Sequence, residues 1–113
     1  MMNNDRNMSV KEGPTEISQD DIIILAETFR LLGDASRLRI LMFCMRGPSP
    51  VGDICEALDL SQSLVSHHLR LLRSARLVKS ERQAKQVLYE IADTHVSHVL
   101  SDMAKHIAEE QCG

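Results

Sequence analysis

Four residues near the end of the chain have the chemistry and spacing to hold a metal ion: Asp93, His95, His106 and Glu109. They lie in DTHVSHVLSDMAKHIAE, residues 93–109, a stretch without Gly or Pro in which Val96, Val99, Leu100, Met103 and Ile107 recur at helical spacing. One amphipathic helix is expected there. On it His106 and Glu109, three apart, face one side and can grip one ion together. Asp93 and His95 can do the same at the helix entrance. His95 and His106 are eleven residues apart, which on a helix means nearly the same azimuth but about 16 Å of separation. A Zn–N bond is about 2.0–2.1 Å long, so a single helix cannot bring both imidazoles to one ion. Two copies running antiparallel about a two-fold axis can, with Asp93 and His95 of one chain joining His106 and Glu109 of the other. That arrangement gives two symmetric sites, each with two nitrogen and two oxygen ligands. A plainer reading fits the same residues: Asp93 as a helix N-cap, and His106 and Glu109 as members of a solvated face. Taken alone, the four residues leave both readings open.

The rest of the chain must position that helix. With 113 residues it is one domain of ordinary size, able to bury a modest core without staples. No apolar run nears the ~18 residues of a membrane span, and the polar start has no signal-peptide core, so a cytoplasmic protein is expected. Cys44, Cys55 and Cys112 are odd in number and widely spread, against a disulfide framework. The net charge of −3 looks wrong for a nucleic-acid binder until it is mapped. Residues 67–86 hold Arg70, Arg73, Arg76, Lys79, Arg82 and Lys85 against Glu81 alone, a local +5, while the remaining seven basic and fifteen acidic residues carry −8. A basic strip on an acidic body suggests a local phosphate-contacting surface.

In chain order, residues 1–17 are polar with Gly13-Pro14 and no period, read as a mobile arm. Residues 18–111 form the domain. Ser18 caps a first helix, with Asp20 and Asp21 suiting its positive end. Its apolar run Ile22 to Phe29 is expected to pack against the last helix and to add to a dimer interface. Gly33 ends it; Asp34 opens a second helix, ASRLRILMFCMR, stopped by Gly47-Pro48. Ser49-Pro50 leads into a short third helix, VGDICEAL. After the turn Asp59-Leu60-Ser61, Ser61 caps a fourth helix through about Ser74. Val65, Leu69 and Leu72 form its buried stripe, and Gln62, Ser63, Ser66, His67, Arg70 and Arg73 its opposite face. Short helix, tight turn and helix make a helix-turn-helix. The exposed face suits the major groove, where Gln reads adenine, Arg reads guanine, and Ser or His serves base or phosphate. An ordinary solvated helix face is the plainer alternative, but such faces are richer in Glu and Lys. Two strand-like runs follow, Leu77 to Glu81 and Gln86 to Ile91, around a basic tip at Arg82-Gln83-Ala84-Lys85. A hairpin there, carrying Lys79, Arg82 and Lys85, is a wing that would rest on the DNA backbone or minor groove. The expected class is mainly α with a β-hairpin wing, a winged helix-turn-helix of order α-α-α-α-β-β-α.

LGDASRLRIL, VGDICEALDLSQSLVSHHLRLLRSARLV and the QVLYEI strand together resemble the ArsR/SmtB winged-helix metal-sensing repressors over about residues 19–111. The resemblance implies a homodimer on a near-palindromic operator in double-stranded DNA, and no enzyme activity. In that family an Asp-x-His pair opening the last helix, with a His-x-x-Glu or His-x-x-His pair eleven residues on, binds zinc or a similar ion across the dimer. Asp93, His95, His106 and Glu109 match this pattern. The implied effector is Zn(II), two per dimer, with Co(II) or Ni(II) as alternatives, and binding it releases the operator. A zinc-bound imidazole usually gives its other N–H to a fixed acceptor; for His106 the expected one is a backbone carbonyl around Ala75-Arg76. Relatives that sense arsenite, cadmium or lead place two or three cysteines near the start of the third helix. Here that region has Cys55 alone, which argues against a soft-metal thiolate site. Cys55 and Cys44 are expected as core residues and Cys112 as the thiol most free to react. His98 is a spare ligand at most, and His68 a packing residue of the fourth helix. Two alternatives remain: a thiol or persulfide switch at Cys44 or Cys112, and a hydrolase, disfavoured because four protein ligands leave zinc no position for water.

Overall fold

A computed structural model describes residues 16–112, with side chains through Glu110; most of the expected N-terminal arm and the Cys112 thiol lie outside the described residues. The first two expected helix starts are where cap chemistry puts them. Ser18 Oγ accepts the Asp21 N–H at 3.1 Å and opens α1, Gln19–Leu32. Asp34 Oδ1 accepts the Arg37 N–H at 3.1 Å and opens α2, Ala35–Cys44. α2 is two residues shorter than its sequence suggests. Met45, Arg46 and Gly47 donate to carbonyls three residues back, at Met42, Phe43 and Cys44, a tightened exit that leads to Gly47 at φ 128°, a conformation suited to glycine alone.

One element was not foreseen. Ser49–Pro50 is a short strand, β1, before α3, Val51–Leu58. It pairs antiparallel with the second hairpin strand, Ser49 opposite Tyr89 and Pro50 opposite Leu88. Two residues carry no period, and Ser-Pro reads as a turn, so nothing local announces it. Its place at the sheet edge suits Pro50, which has no N–H to give a ladder. Ser49 is buried, and its hydroxyl donates to the Gly47 carbonyl at 3.0 Å.

α4, Gln62–Ser74, follows the Asp59–Ser61 turn. Asp59 takes the left-handed φ of 57°, which Asp tolerates better than most residues. The hairpin strands are β2, Val78–Gln83, and β3, Gln86–Ile91, giving an antiparallel sheet of order β1-β3-β2. The register runs from Val78 opposite Ile91 to Gln83 opposite Gln86. The tip is therefore Ala84-Lys85 alone, tighter than the four residues expected, and Ala84 sits at φ 54°. The chain closes with α5, Thr94–Cys112.

The core joins Ile40, Leu41 and Cys44 of α2, Ile54 of α3, Val65, Leu69 and Leu72 of α4, and Leu77, Val78 and Leu100. Each such side chain taken fully from water contributes about 1.5–3 kcal/mol. Among the described residues, α5 gives this core only Leu100, with Val96 packed beside it, and α1 adds only Leu31 to the buried set. The rest of their apolar faces is open: Ile22, Ile23, Ile24, Leu25 and Phe29 on α1, and Val99, Met103 and Ile107 on α5, are all exposed. The expected packing of the run Ile22 to Phe29 on α5 is not seen in the single chain, where Ile22 to Leu25 and Phe29 stay exposed and the two helices border a gap. Leu25, Phe29 and Leu32 face Val96, Val99 and Leu100 across an apolar cleft of about 180 Å³.

Candidate functional site

α4 is held from three sides. Ser61 Oγ accepts the Leu64 N–H at 3.2 Å and fixes the first turn of α4. Val65, Leu69 and Leu72 are at most 1% exposed, as their stripe predicts. At the far end the Leu77 N–H donates to the Leu72 carbonyl at 2.9 Å and Arg76 takes a left-handed φ of 62°, a helix stop of the kind usually given to glycine. Gln62, Ser63, His67, Arg70 and Arg73 are exposed and Ser66 is half-buried. Lys79 and Arg82 on β2 and Lys85 at the tip are exposed too. One chain thus carries a helix of short polar and basic groups beside a basic hairpin.

His68 belongs to the packed side of α4. It is 5% exposed, and its Nδ1 has no hydrogen-bond partner among the described residues. Burial holds its pKa below the usual imidazole value; the Asp34 carboxylate opposes that shift, and the charges of Arg37 and His67 reinforce it. The His67 and His68 rings are 5.7 Å apart and tilted by 48°. Neighbouring histidines in the sequence therefore do different jobs, one facing outward and one packed against the start of α2.

On α5 the helix is continuous from Thr94, so the two donor pairs sit at opposite ends of one rod. Asp93, His95, His106 and Glu109 are all exposed. Asp93 does cap the helix, its Oδ1 accepting the Val96 N–H at 3.0 Å; a carboxylate has a second oxygen, so capping and ligation are compatible. His95 also borders the apolar cleft between α1 and α5. His98 is exposed. Among the described residues of one chain, no three His, Cys, Asp or Glu side chains gather where one ion could be held. Ala75 and Arg76 line a cleft of about 560 Å³ whose other wall is Ile23, Ile24, Thr28 and Leu31 of α1 rather than α5. Cys44 is 1% exposed, and burial pushes its thiol up to about 12; Cys55 is half-buried.

The model of a bacterial regulatory protein family, the arsR family, matches residues 34–80, from the cap of α2 into β2. A transcriptional repressor SmtB homolog from Synechocystis sp. is 42% identical over 96 residues, covering 85% of this chain and 73% of that one. The chain belongs to the arsR family. It is a DNA-binding transcriptional regulator of winged helix-turn-helix fold. The HTH-type transcriptional regulator NmtR of Mycobacterium tuberculosis is 42% identical over 82 residues, 73% of this chain and 68% of that one. A solution structure of apo-NmtR superposes with a TM-score of 0.71 at 35% identity, covering 86% of this chain and 82% of that one. The homodimeric winged helix-turn-helix DNA-binding domain of Mb0332 from Mycobacterium bovis superposes with a TM-score of 0.75 at 24% identity, over 87% and 90% of the two chains. Among the described residues of this arsR-family chain, no helix is long and apolar enough to cross a membrane.

Proposed function

We propose that this arsR-family regulator is a homodimeric repressor that leaves its operator when a divalent ion, Zn(II) by first choice, binds between the two α5 helices. The observation that carries this reading is the pairing on α5. Two exposed donor pairs, Asp93 with His95 and His106 with Glu109, flank the exposed apolar residues Val99 and Met103 on one unbroken helix. An apolar face bounded by ligands that one chain cannot bring together suits a second copy of the same chain. Two imidazoles and two carboxylates are a donor set for a borderline divalent cation, and Co(II) and Ni(II) share it. The SmtB and NmtR relatives and the homodimeric Mb0332 domain support the same reading.

On the DNA side, Gln62, Ser63, Ser66, His67, Arg70 and Arg73 read or position the major groove, and Lys79, Arg82 and Lys85 contact the backbone. Half-sites on one face of DNA lie about 34–36 Å apart. Joining the two α5 helices fixes the angle between subunits and so the distance between reading helices. Release needs only that the metal-bound angle fit this spacing worse than the free one, and the coupling is then reciprocal. In this reading His106 carries the link to α4 by donating its second N–H to a carbonyl around Ala75-Arg76 in the metal-bound dimer, a contact that must form on binding because α1 rather than α5 walls that cleft in the single chain. The test is operator affinity with and without saturating Zn(II), for the wild type and His106→Gln. Zinc should weaken binding by the wild type and, even at saturation, much less by the variant. Tighter DNA binding on adding zinc to the wild type overturns the repressor-release reading. A thiol switch at Cys44 finds no support, since that thiol is sealed and held protonated.

A further inference from the structure

We propose that Leu64 reads the 5-methyl group of a thymine in the operator, as a specificity contact beside the polar readers of α4; this rests on α4 being the helix that enters the major groove. Among the described residues, the exposed large apolar side chains fall on α1 and just before it (Ile17, Ile22–Leu25, Phe29), on α5 (Val99, Met103, Ile107), or at Leu64. The first two groups are the faces assigned to the second copy. Leu64 is the exception, 38% exposed on the helix of a DNA-binding regulator.

Its position narrows what it can meet. Leu64 is the third residue of α4, in the N-terminal part of a recognition helix that touches base edges. Its own N–H is bonded to Ser61 Oγ at 3.2 Å, so its backbone is anchored and the side chain departs from a fixed point. Gln62 and Ser63 precede it and His67 lies one turn on, all exposed. A leucine among these has neither donor nor acceptor for a phosphate or a base edge. The apolar feature that the major groove offers is the thymine methyl. Leu64 therefore discriminates thymine from cytosine, where Gln62 or Arg70 would discriminate through hydrogen bonds.

The experiment takes the full-length protein without added metal and a duplex enriched from a random pool by binding to it. Each thymine is replaced in turn by deoxyuridine, which removes one methyl group and leaves every hydrogen-bonding atom in place. For the wild type, one thymine per half-site should be sensitive, with affinity falling about fourfold when its methyl group is removed. Leu64→Ala should bind the thymine duplex about as weakly as the wild type binds the uracil one, and should not respond to uracil at that position. Leu64→Met, which keeps an apolar side chain of similar reach, should still respond. If no thymine is sensitive in the wild type, or if Leu64→Ala senses uracil as the wild type does, the assignment of Leu64 is wrong. A pool that yields no preferred duplex overturns the reading role of α4 itself, and this contact with it, before any uracil is introduced.

Discussion

A proton added to His68 would meet the guanidinium of Arg37 and a second imidazole at His67, with the Asp34 carboxylate as the opposing charge. Its Nδ1, buried and without a partner among the described residues, would become a donor with no acceptor. The folded protein therefore binds this proton less readily than the unfolded chain, whose histidine titrates near 6.5. Below about pH 6.5 the unfolded state takes up the extra proton, so stability falls with pH until the lower folded pKa is passed. His68→Gln removes the titration. Its denaturation midpoint should fall less than that of the wild type between pH 7 and pH 5, whatever the offset between the two at pH 7; parallel curves would mean that His68 does not titrate in this range. The sequence placed His68 in helix packing, but the missing partner for Nδ1 is a matter of tertiary packing and could not be read locally. Asp93 shows the opposite situation. Capping and ligation ask for the same residue type at the same place, so the sequence raised both readings, and the 3.0 Å cap bond to Val96 leaves the second standing.

Elements were legible where a chemical signal marks their ends. Ser18, Asp34 and Ser61 are caps in the structure as in the sequence, and VGDICEAL is α3 residue for residue. β1 was illegible because two residues cannot show a period and its partner is nearly forty residues away. The hairpin tip was misjudged for a related reason. Neither Ala84 nor Lys85 is a turn former, so the sequence suggested a longer, looser loop than the two-residue turn observed. That turn holds Ala84 at φ 54°, where a Cβ costs about 1–2 kcal/mol. Ala84→Gly relieves the strain but gives the unfolded chain more freedom, so a net gain of about 0.5–1 kcal/mol is expected. Chemical denaturation reads it directly, and an unchanged or lower stability would show that the turn relaxes by another route. DNA affinity should hardly change, since Lys85 keeps its place and its charge.

Across the whole molecule, the cross-chain arrangement at α5 makes a prediction about stoichiometry. In a heterodimer of His95→Ala and His106→Ala chains, one of the two proposed sites loses both histidines and the other keeps both. Metal titration should find one site of wild-type affinity per heterodimer, whereas either variant alone should show two weakened ones. Two equally weakened sites in the heterodimer would place each ion within a single chain, against the roughly 16 Å that separates the two histidines along the helix. The architecture around that helix has a further consequence. The buried core is almost complete within α2, α3, α4 and the start of the hairpin, and α5 reaches it through Leu100. A helix so lightly rooted can change its surface residues, its donor atoms and its angle to a neighbour while the DNA-reading half keeps its own packing. If effectors act through this helix as proposed, evolution can vary what the protein senses without renegotiating how it folds: a new effector would need only new side chains on an outer rod, with the packing of the DNA-binding half left intact.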